Sequence, residues 1–103
     1  MCYDEKVPQV VLSEEAVRQY RRLRKADRAF LKEGIGRHLA LGNPAESSRN
    51  KFRLRRASPV ADYELRLGKW RVFYRLGENR VEVTLIGEKR GHLLLVAGEE
   101  FRL

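Results

Sequence analysis

Apolar and polar residues alternate through the segment from Asp62 to Arg90, which is the most regular stretch of the chain. Alternation at every second residue is typical of strands that bury one face and expose the other. The pattern restarts after Gly68-Lys69 and again after Gly77-Glu78-Asn79. It therefore predicts three consecutive antiparallel strands joined by tight turns. One predicted face is apolar, and the other, named here the arginine face, carries Glu64, Arg66, Arg71, Arg75 and Glu82.

The residues before this segment predict a strand followed by two helices. Val7 to Leu12 is an apolar run of strand length, in which Pro8 suits the start or a sheet edge. Ser13 is a helix N-cap, and two acidic residues follow it in the first turn of a helix with a basic outer face. Asp27 is predicted to cap a second helix, whose apolar stripe ends before Gly42-Asn43-Pro44. The two helices are expected to form a hairpin.

Two glycines and a histidine stand out in the second predicted helix. Gly34 and Gly36 each cost a helix about 1 kcal/mol relative to alanine. This cost indicates close packing against a neighbouring element. His38 falls on the apolar stripe, and no second histidine or acidic residue stands at a metal-binding spacing from it. We expect His38 to be a packed or edge histidine rather than a metal ligand.

Two further segments complete the predicted sheet. Lys51 to Arg56 predicts a short strand with Phe52 and Leu54 pointing inward and the basic residues outward. Gly91 to Phe101 fits a short strand and turn or a final helical turn, and the strand is favoured. The predicted fold class is α+β, a small antiparallel sheet of about four or five strands with an N-terminal strand and a two-helix hairpin on one face. Residues 1–103 are expected to form one domain.

The charge balance indicates a polyanionic partner. The chain has 103 residues with 22 Lys and Arg against 14 Asp and Glu, which gives a net charge of +8. The basic residues concentrate at Arg18 to Arg28 and at Lys51 to Arg56 rather than scattering evenly. Nucleic acid is the favoured partner. The alternative is a solvated basic surface that serves solubility.

Cysteine content and hydropathy exclude several other classes of protein. Cys2 is the only cysteine, so neither a disulfide framework nor a cysteine metal site can form within the chain. The N-terminal residues contain no apolar run of signal-peptide length, and the longest apolar run, Leu93 to Ala97, is too short to cross a bilayer. We expect a cytoplasmic protein with no membrane association.

The order of predicted elements and two sequence motifs resemble a known family of toxins. The motifs are YELRLGKWRVFYRL, from Tyr63 to Leu76, and VTLIGEKRG, from Val83 to Gly91. They resemble the RelE/ParE superfamily of bacterial type II toxin-antitoxin systems, with the likeness spanning Val7 to about Arg90. The resemblance implies a RelE-like fold and a cognate antitoxin that wraps and neutralises the toxin. Members include ribosome-dependent endoribonucleases, DNA gyrase poisons and inactive relatives.

Cleavage of RNA through the ribose 2′-hydroxyl explains why arginines would be needed on this face. The reaction requires a base for the hydroxyl, cations for the growing phosphate charge and an acid for the leaving oxygen, and it requires no metal. Arg71 can offer a forked guanidinium to the phosphate, with Arg66 beside it and Lys89 at the end of the last strand. By resemblance, Arg71 falls where nuclease members carry a catalytic arginine. Arg66 and Lys89 match positions that are usually basic.

The acid and base of such a reaction are less well defined by the sequence. Glu64 is placed either to act as the base or to pair with Arg66, and pairing is the commoner outcome. His92 has a suitable intrinsic pKa for proton transfer, although an isolated histidine beside a loop is more often a surface residue. Many nuclease members carry a tyrosine in the C-terminal segment, whereas His92 to Leu103 contains none.

The predicted function is a metal-independent, ribosome-dependent endoribonuclease that inhibits translation. The alternatives are a non-enzymatic gyrase inhibitor and a degenerate module that binds RNA or antitoxin. Expected partners are an antitoxin, mRNA and ribosomal RNA, with no cofactor. By strand parity, Phe73 is the one aromatic side chain placed to stack on RNA bases. Further RNA contacts are predicted at Lys51, Arg53, Arg55, Arg56, Arg75 and Arg90.

Overall fold

The computed structural model describes residues 9–40, 43–45, 50–54 and 59–101. One strand and two helices precede the main sheet, as predicted. The second helix runs directly into a π-helical segment, Gly36–Ala40. The other elements are β1 (Gln9–Leu12), α1 (Glu14–Arg21), α2 (Lys25–Ile35), β2 (Lys51–Arg53), β3 (Tyr63–Leu67), β4 (Trp70–Gly77), β5 (Arg80–Arg90), β6 (Leu93–Val96) and β7 (Glu99–Glu100).

The strands form one sheet in the order β2-β3-β4-β5-β6-β7, with every neighbouring pair antiparallel. Strand β1 pairs in parallel with the start of β5, and β6 pairs with its end, so both lie along the same edge of that long strand. The described residues thus hold seven strands, more than predicted, because the C-terminal segment forms two short strands, β6 and β7, where at most one was expected. The C-terminal strand that the sequence favoured is confirmed as β6.

Ser13 fixes the start of α1 to the sheet. Its hydroxyl oxygen accepts a hydrogen bond from the backbone of Ala16 and donates one to the carbonyl of Thr84 on β5. The predicted N-cap is therefore confirmed, and it also sets the position of the helix on the sheet.

The predicted cap of α2 at Asp27 is wrong. The helix begins at Lys25, with Arg24 in the cap position, and Asp27 lies in the first turn. The link from α1 is short because Arg28 and Tyr20 hold it together. The Arg28 side chain donates to the carbonyl of Leu23, and the Tyr20 hydroxyl donates to the carbonyl of Arg28. Both bonds are donated to backbone carbonyls, so they brace the link between the helices and do not replace an N-cap, which would accept from backbone N–H groups.

The main core lies between the helices and one face of the sheet. Gly34 packs against Leu67, since a Cβ on Gly34 would lie 2.6 Å from Cδ1 of that leucine. The close packing predicted for Gly34 is thus confirmed, whereas that for Gly36 is wrong, because nothing lies within 4 Å of its Cβ position. The buried residues of this core are Ala16, Leu31, Ile35, Leu39, Leu65, Leu67, Trp70, Val72, Tyr74, Val81, Val83 and Ile86.

A second, smaller core covers part of the opposite face of the sheet. It has three buried residues, Ala61, Phe73 and Leu85. The strand register is shifted between Phe73 and Tyr74, which leaves Thr84 as the extra residue of a bulge on β5. The second core thus covers part of the arginine face, and Glu64, Arg66 and Arg71 lie outside it. Neither described helix is long and apolar enough to cross a membrane.

Candidate functional site

Two arginines face each other across neighbouring strands at the centre of the arginine face. Arg66 on β3 is paired in register with Arg71 on β4. Like charges directly opposite one another destabilise a sheet unless something nearby neutralises them. The pair therefore requires a counter-charge, either within the protein or on a ligand.

Glu64 supplies part of that counter-charge. Its Oε1 lies 3.4 Å from Nη2 of Arg66, and its Oε2 lies 3.6 Å from Nε of Arg71. The predicted pairing of Glu64 with Arg66 is thus confirmed, and the second contact to Arg71 is an addition. The carboxylate is 15% exposed, so solvent screens these contacts less than a surface ion pair. Two guanidinium groups against one carboxylate leave this trio with a net positive charge.

Arg71 is held firmly rather than standing free in solvent. Its Nη1 donates to the carbonyls of Gly68 at 2.7 Å and Trp70 at 2.9 Å. Gly68 has a φ of +59° in the β3–β4 turn, a conformation that glycine adopts without strain. The Arg71 side chain is 15% exposed. Among the residues that the structure describes, its Nη2 has no partner and remains available to a ligand.

The environment of Arg71 also acts on its pKa. Burial lowers the pKa of Arg71 from its ordinary value, while Glu64 raises it and Arg66 lowers it further. An arginine pKa starts so far above neutrality that the guanidinium stays charged. The site thus holds a fixed, partly desolvated cation, which binds an anionic oxygen more strongly than a mobile surface arginine does.

Arg66 is the more exposed of the two arginines and stacks on an aromatic ring. Its side chain is 49% exposed, and its guanidinium carbon lies 4.3 Å from the centre of the Phe52 ring. Phe52 is paired in register with Glu64 and so lies on the arginine face. The prediction that Phe52 points inward and the basic residues outward is therefore wrong.

The register of β2 explains this correction. Lys51 is opposite Leu65, so it shares the core side of the sheet. It is only 5% exposed, and its Nζ donates to the carbonyls of His38 at 3.3 Å and Asn43 at 2.8 Å. The predicted outward position of Lys51 is wrong, because its side chain is buried and its ammonium group donates to backbone carbonyls of the protein.

Two other expected contact residues are also removed from the site. Phe73 is 1% exposed because it belongs to the second core, so the predicted stacking role is wrong. Arg53 is exposed but stands on the core side of the sheet, where it lies over the Tyr63 ring at 5.6 Å from its centre. Arg55 and Arg56 lie outside the described residues.

Arg75 lies further along the arginine face than the charged trio. It is half-buried, donates to the carbonyl of Pro59, and is paired in register with Glu82. Arg75 therefore helps to hold the loop over the second core.

The end of β5 brings two predicted residues towards the trio. Gly87 is opposite Arg71, so Lys89, two residues further on, projects on the same face. Lys89 is exposed. His92 is exposed in the turn that joins β5 to β6. The structure therefore places Lys89 on the same face as Glu64, Arg66 and Arg71, and His92 in the turn that follows, with both side chains exposed.

Arg90 belongs to a separate charged cluster on the other face. Its Nε lies 3.2 Å from Oε2 of Glu88, and Nζ of Lys69 lies 3.3 Å from the same oxygen. Burial by itself would raise the pKa of Glu88, but hydrogen bonds from Arg90 and Lys69 outweigh it, and the pKa is lowered. Since Glu88 is opposite Trp70, this cluster lies on the side of the sheet that faces the helices and not on the arginine face.

Phe52 and Asn50 are site residues that the sequence did not reveal. The backbone of Arg66 donates to the carbonyl of Asn50 at 2.7 Å, and Nδ2 of Asn50 donates back to the carbonyl of Arg66 at 3.0 Å. Asn50 thus fixes the strand position of Arg66. Its only sequence signal was its place just before a predicted strand. Within the part of the chain that the structure describes, no group of three His, Cys, Asp or Glu side chains could hold a metal ion.

Comparison with known proteins gives a match in structure but not in sequence. No protein-family model matches the chain, and no curated protein matches it in sequence. The crystal structure of the toxin-antitoxin complex RelBE2 from Mycobacterium tuberculosis contains a chain of similar structure, with a TM-score of 0.61 and 21% sequence identity. The match covers 81% of this chain and 92% of that one. The α+β, RelE-like fold expected from the sequence is therefore confirmed.

Proposed function

We propose that this chain is the toxin of a toxin-antitoxin pair and that it cleaves RNA on its arginine face. The observation that carries the proposal is the pairing of Arg66 directly opposite Arg71, with Glu64 as their shared counter-charge. A net positive site with a partly free guanidinium fits the oxygens of a phosphodiester. The RelE-like fold supports the toxin assignment.

In the proposed reaction, Arg71 stabilises the charge that grows on the phosphate. The ribose 2′-oxygen forms a bond to phosphorus and loses its proton, while the bond from phosphorus to the 5′-oxygen breaks and that oxygen gains a proton. Between these events the phosphate oxygens carry one extra unit of negative charge, because the singly charged diester becomes a doubly charged phosphorane. A guanidinium already held by the carbonyls of Gly68 and Trp70 needs no reorientation to meet that charge.

Glu64 serves this reaction as a positioning residue. Both of its carboxylate oxygens are in contact with arginines, which orients the two guanidinium groups relative to each other. Lys89 adds an exposed cation on the arginine face. His92, exposed beside it, is the candidate for protonating the leaving oxygen.

The same charge distribution suggests how an antitoxin would inhibit the protein. A segment with acidic side chains laid over Arg66 and Arg71 would replace the missing counter-charge and exclude RNA. The partner expected for this face is therefore a protein with an acidic segment.

The order in which cellular processes stop tests the proposed function. The chain would be expressed from an inducible promoter, with pulse-labelling of protein and DNA synthesis and primer extension on abundant mRNAs. Protein synthesis should stop first, with new 5′ ends inside coding regions. Arg71→Lys should delay the arrest, whereas Arg18→Lys, which alters an exposed arginine on α1, should not. Arrest of DNA synthesis with intact mRNA would contradict the nuclease proposal and favour a gyrase inhibitor.

A further inference from the structure

The stack of Arg66 on Phe52 has no role in the phosphate chemistry proposed above. The two residues stand on the neighbouring strands β2 and β3, and the guanidinium carbon lies 4.3 Å from the ring centre. A cation within about 6 Å of a ring centre is attracted by the negative face of the ring. Phe52 therefore covers one side of the Arg66 guanidinium.

Three other contacts keep Arg66 in this position. Its backbone is fixed on both sides by Asn50, and Glu64 holds the edge of its guanidinium at 3.4 Å. Nevertheless, 49% of the side chain is exposed. The Phe52 ring covers one side of the guanidinium, so the exposed surface belongs to the remainder of the side chain.

A fixed, flat and exposed guanidinium is well suited to stack on a nucleobase. Unpaired RNA bases are commonly stacked on aromatic side chains or on arginine planes. Stacking tolerates any base, because every base has a π face. Lysine cannot replace arginine at such a place, since its ammonium group has no plane.

We infer that Arg66, backed by Phe52, is a stacking platform for one unpaired RNA base next to the phosphate bound by Arg71. This inference rests on the proposed RNA-binding function and names the ligand of the platform as a single-stranded nucleobase. Residues directly opposite in an antiparallel pair have Cβ atoms about 4.5–5.5 Å apart. Arg66 and Arg71 are such a pair, so one nucleotide and its neighbouring phosphate can contact both.

The position of Arg66 also argues against a purely structural role. A structural arginine gains from a carboxylate or a carbonyl on the neighbouring strand, whereas Arg66 has Arg71 directly opposite. Its contact with Glu64 is shared with Arg71. A bound nucleotide would therefore reduce the repulsion between Arg66 and Arg71, because its phosphate adds a second negative charge.

Binding of a base-containing and an abasic oligonucleotide tests the inference. The probe is a short 2′-fluoro RNA, which lacks the hydroxyl nucleophile and stays intact, and its partner is the same oligonucleotide with abasic sites. The full chain should bind the base-containing probe about 10-fold more tightly than the abasic one. Phe52→Leu and Arg66→Lys should each remove most of that difference, whereas Phe30→Leu, which alters an exposed phenylalanine on α2, should keep it.

The outcomes separate this inference from the nuclease proposal. Equal affinity of the wild-type chain for the two probes would overturn the platform, even if the chain cuts RNA. A base-dependent preference that both variants retain would overturn it as well. A preference lost in both variants would support the platform, even in a chain that cuts no RNA. Thermal unfolding of each variant shows whether it is folded. If Phe52→Leu does not fold, Arg66→Lys still tests the inference, because it preserves both the charge and the β2–β3 backbone contacts.

Discussion

At the scale of single residues, the candidate site depends on the carboxylate of Glu64. The sequence left open whether Glu64 is a base or a partner of Arg66, since both fit an acidic residue two positions from an arginine. The structure places its two oxygens against Arg66 and Arg71 separately. Because both oxygens are engaged by guanidinium groups, the geometry favours a positioning role for Glu64 over that of a base.

Glu64→Gln tests the positioning role of Glu64. The change keeps the shape of the side chain but leaves Arg66 opposite Arg71 without a counter-charge. We expect the free energy of unfolding to fall by about 1 kcal/mol, and affinity for the 2′-fluoro RNA to rise because the site gains net positive charge. Denaturant unfolding and a binding titration measure both quantities.

The control for this change is Glu82→Gln, which removes a carboxylate opposite Arg75 on the same strand face. An equal rise in RNA affinity for both variants would show that the rise comes from the overall charge of the protein and not from the position of Glu64. Unchanged unfolding free energy and unchanged RNA affinity in Glu64→Gln would contradict the role of Glu64 as the counter-charge that positions Arg66 and Arg71.

His38 predicts a pH dependence of stability. Burial lowers its pKa from the ordinary value of 6.5, and Lys51 and Arg37 lower it further. The unfolded chain therefore takes up this proton at a higher pH than the folded one. The contribution of neutral His38 to the free energy of unfolding is therefore fully present above pH 6.5 and is lost as the pH falls through the folded-state pKa.

We expect His38→Gln to remove part of the loss of unfolding free energy between about pH 7 and about pH 5. His92→Gln is the control, because it removes the other histidine of the chain from an exposed turn. Denaturant unfolding at several pH values measures the effect. An identical pH profile for the wild type and His38→Gln would show that the burial of His38 has no thermodynamic consequence.

At the scale of elements, alternation predicted β3, β4 and β5 well because each is long enough to display its period. Tyr74, Trp70 and Val72 lie in the core as expected. Strand β2 has only three residues, too few for alternation to define a face, and its register with β3 decides which side chains point inward. The opposite orientation of Phe52 and Lys51 follows from that register alone.

Long-range contacts explain the other differences from the sequence-based expectations. Phe73 has the strand parity of an exposed residue, but Ala61 and Leu85 cover it from distant parts of the chain. Helix α2 begins at Lys25 without a side-chain cap, and the link before it is braced by side-chain bonds of Arg28 and Tyr20 to backbone carbonyls. Neither effect can be recognised from the pattern of residues that are neighbours in the sequence. The positions of Arg66 and Arg71 could be predicted because both lie on regular strands.

The two glycines near the end of α2 give a matched test of helix packing. Gly34→Ala would place a methyl group 2.6 Å from Cδ1 of the buried Leu67, so we expect a loss of about 1–2 kcal/mol in unfolding free energy. Gly36 has helical dihedral angles and nothing within 4 Å of its Cβ position. Gly36→Ala should therefore stabilise the protein by about 0.5–1 kcal/mol.

Thermal or denaturant unfolding of the two variants measures this difference. The predicted effects have opposite signs, although both changes add one methyl group at positions only two residues apart in the same helical region. Stabilisation by Gly34→Ala would mean that Leu67 can move aside without cost, which would contradict the tight contact between α2 and β3.

At the scale of the whole molecule, the sheet separates a packed side from a charged one. The helices and the main core occupy one face, and the second core covers part of the other. The remaining open area is where Arg66 faces Arg71, in a chain whose net charge is +8. The fold thus leaves two opposed arginines with one carboxylate on the partly open face of the sheet, which is consistent with an RNA phosphate as the missing counter-charge.

The most direct test of the central claim is single-turnover cleavage of mRNA bound to programmed ribosomes. The wild-type chain should cut within the coding sequence. Arg71→Lys should still bind but cut about 10²–10³-fold more slowly, because lysine keeps the charge and loses the oriented fork. Arg18→Lys should cut at the wild-type rate. Equal cleavage rates for the wild type and Arg71→Lys, or intact mRNA with the wild-type chain, would contradict the claim that the arginine face performs the reaction.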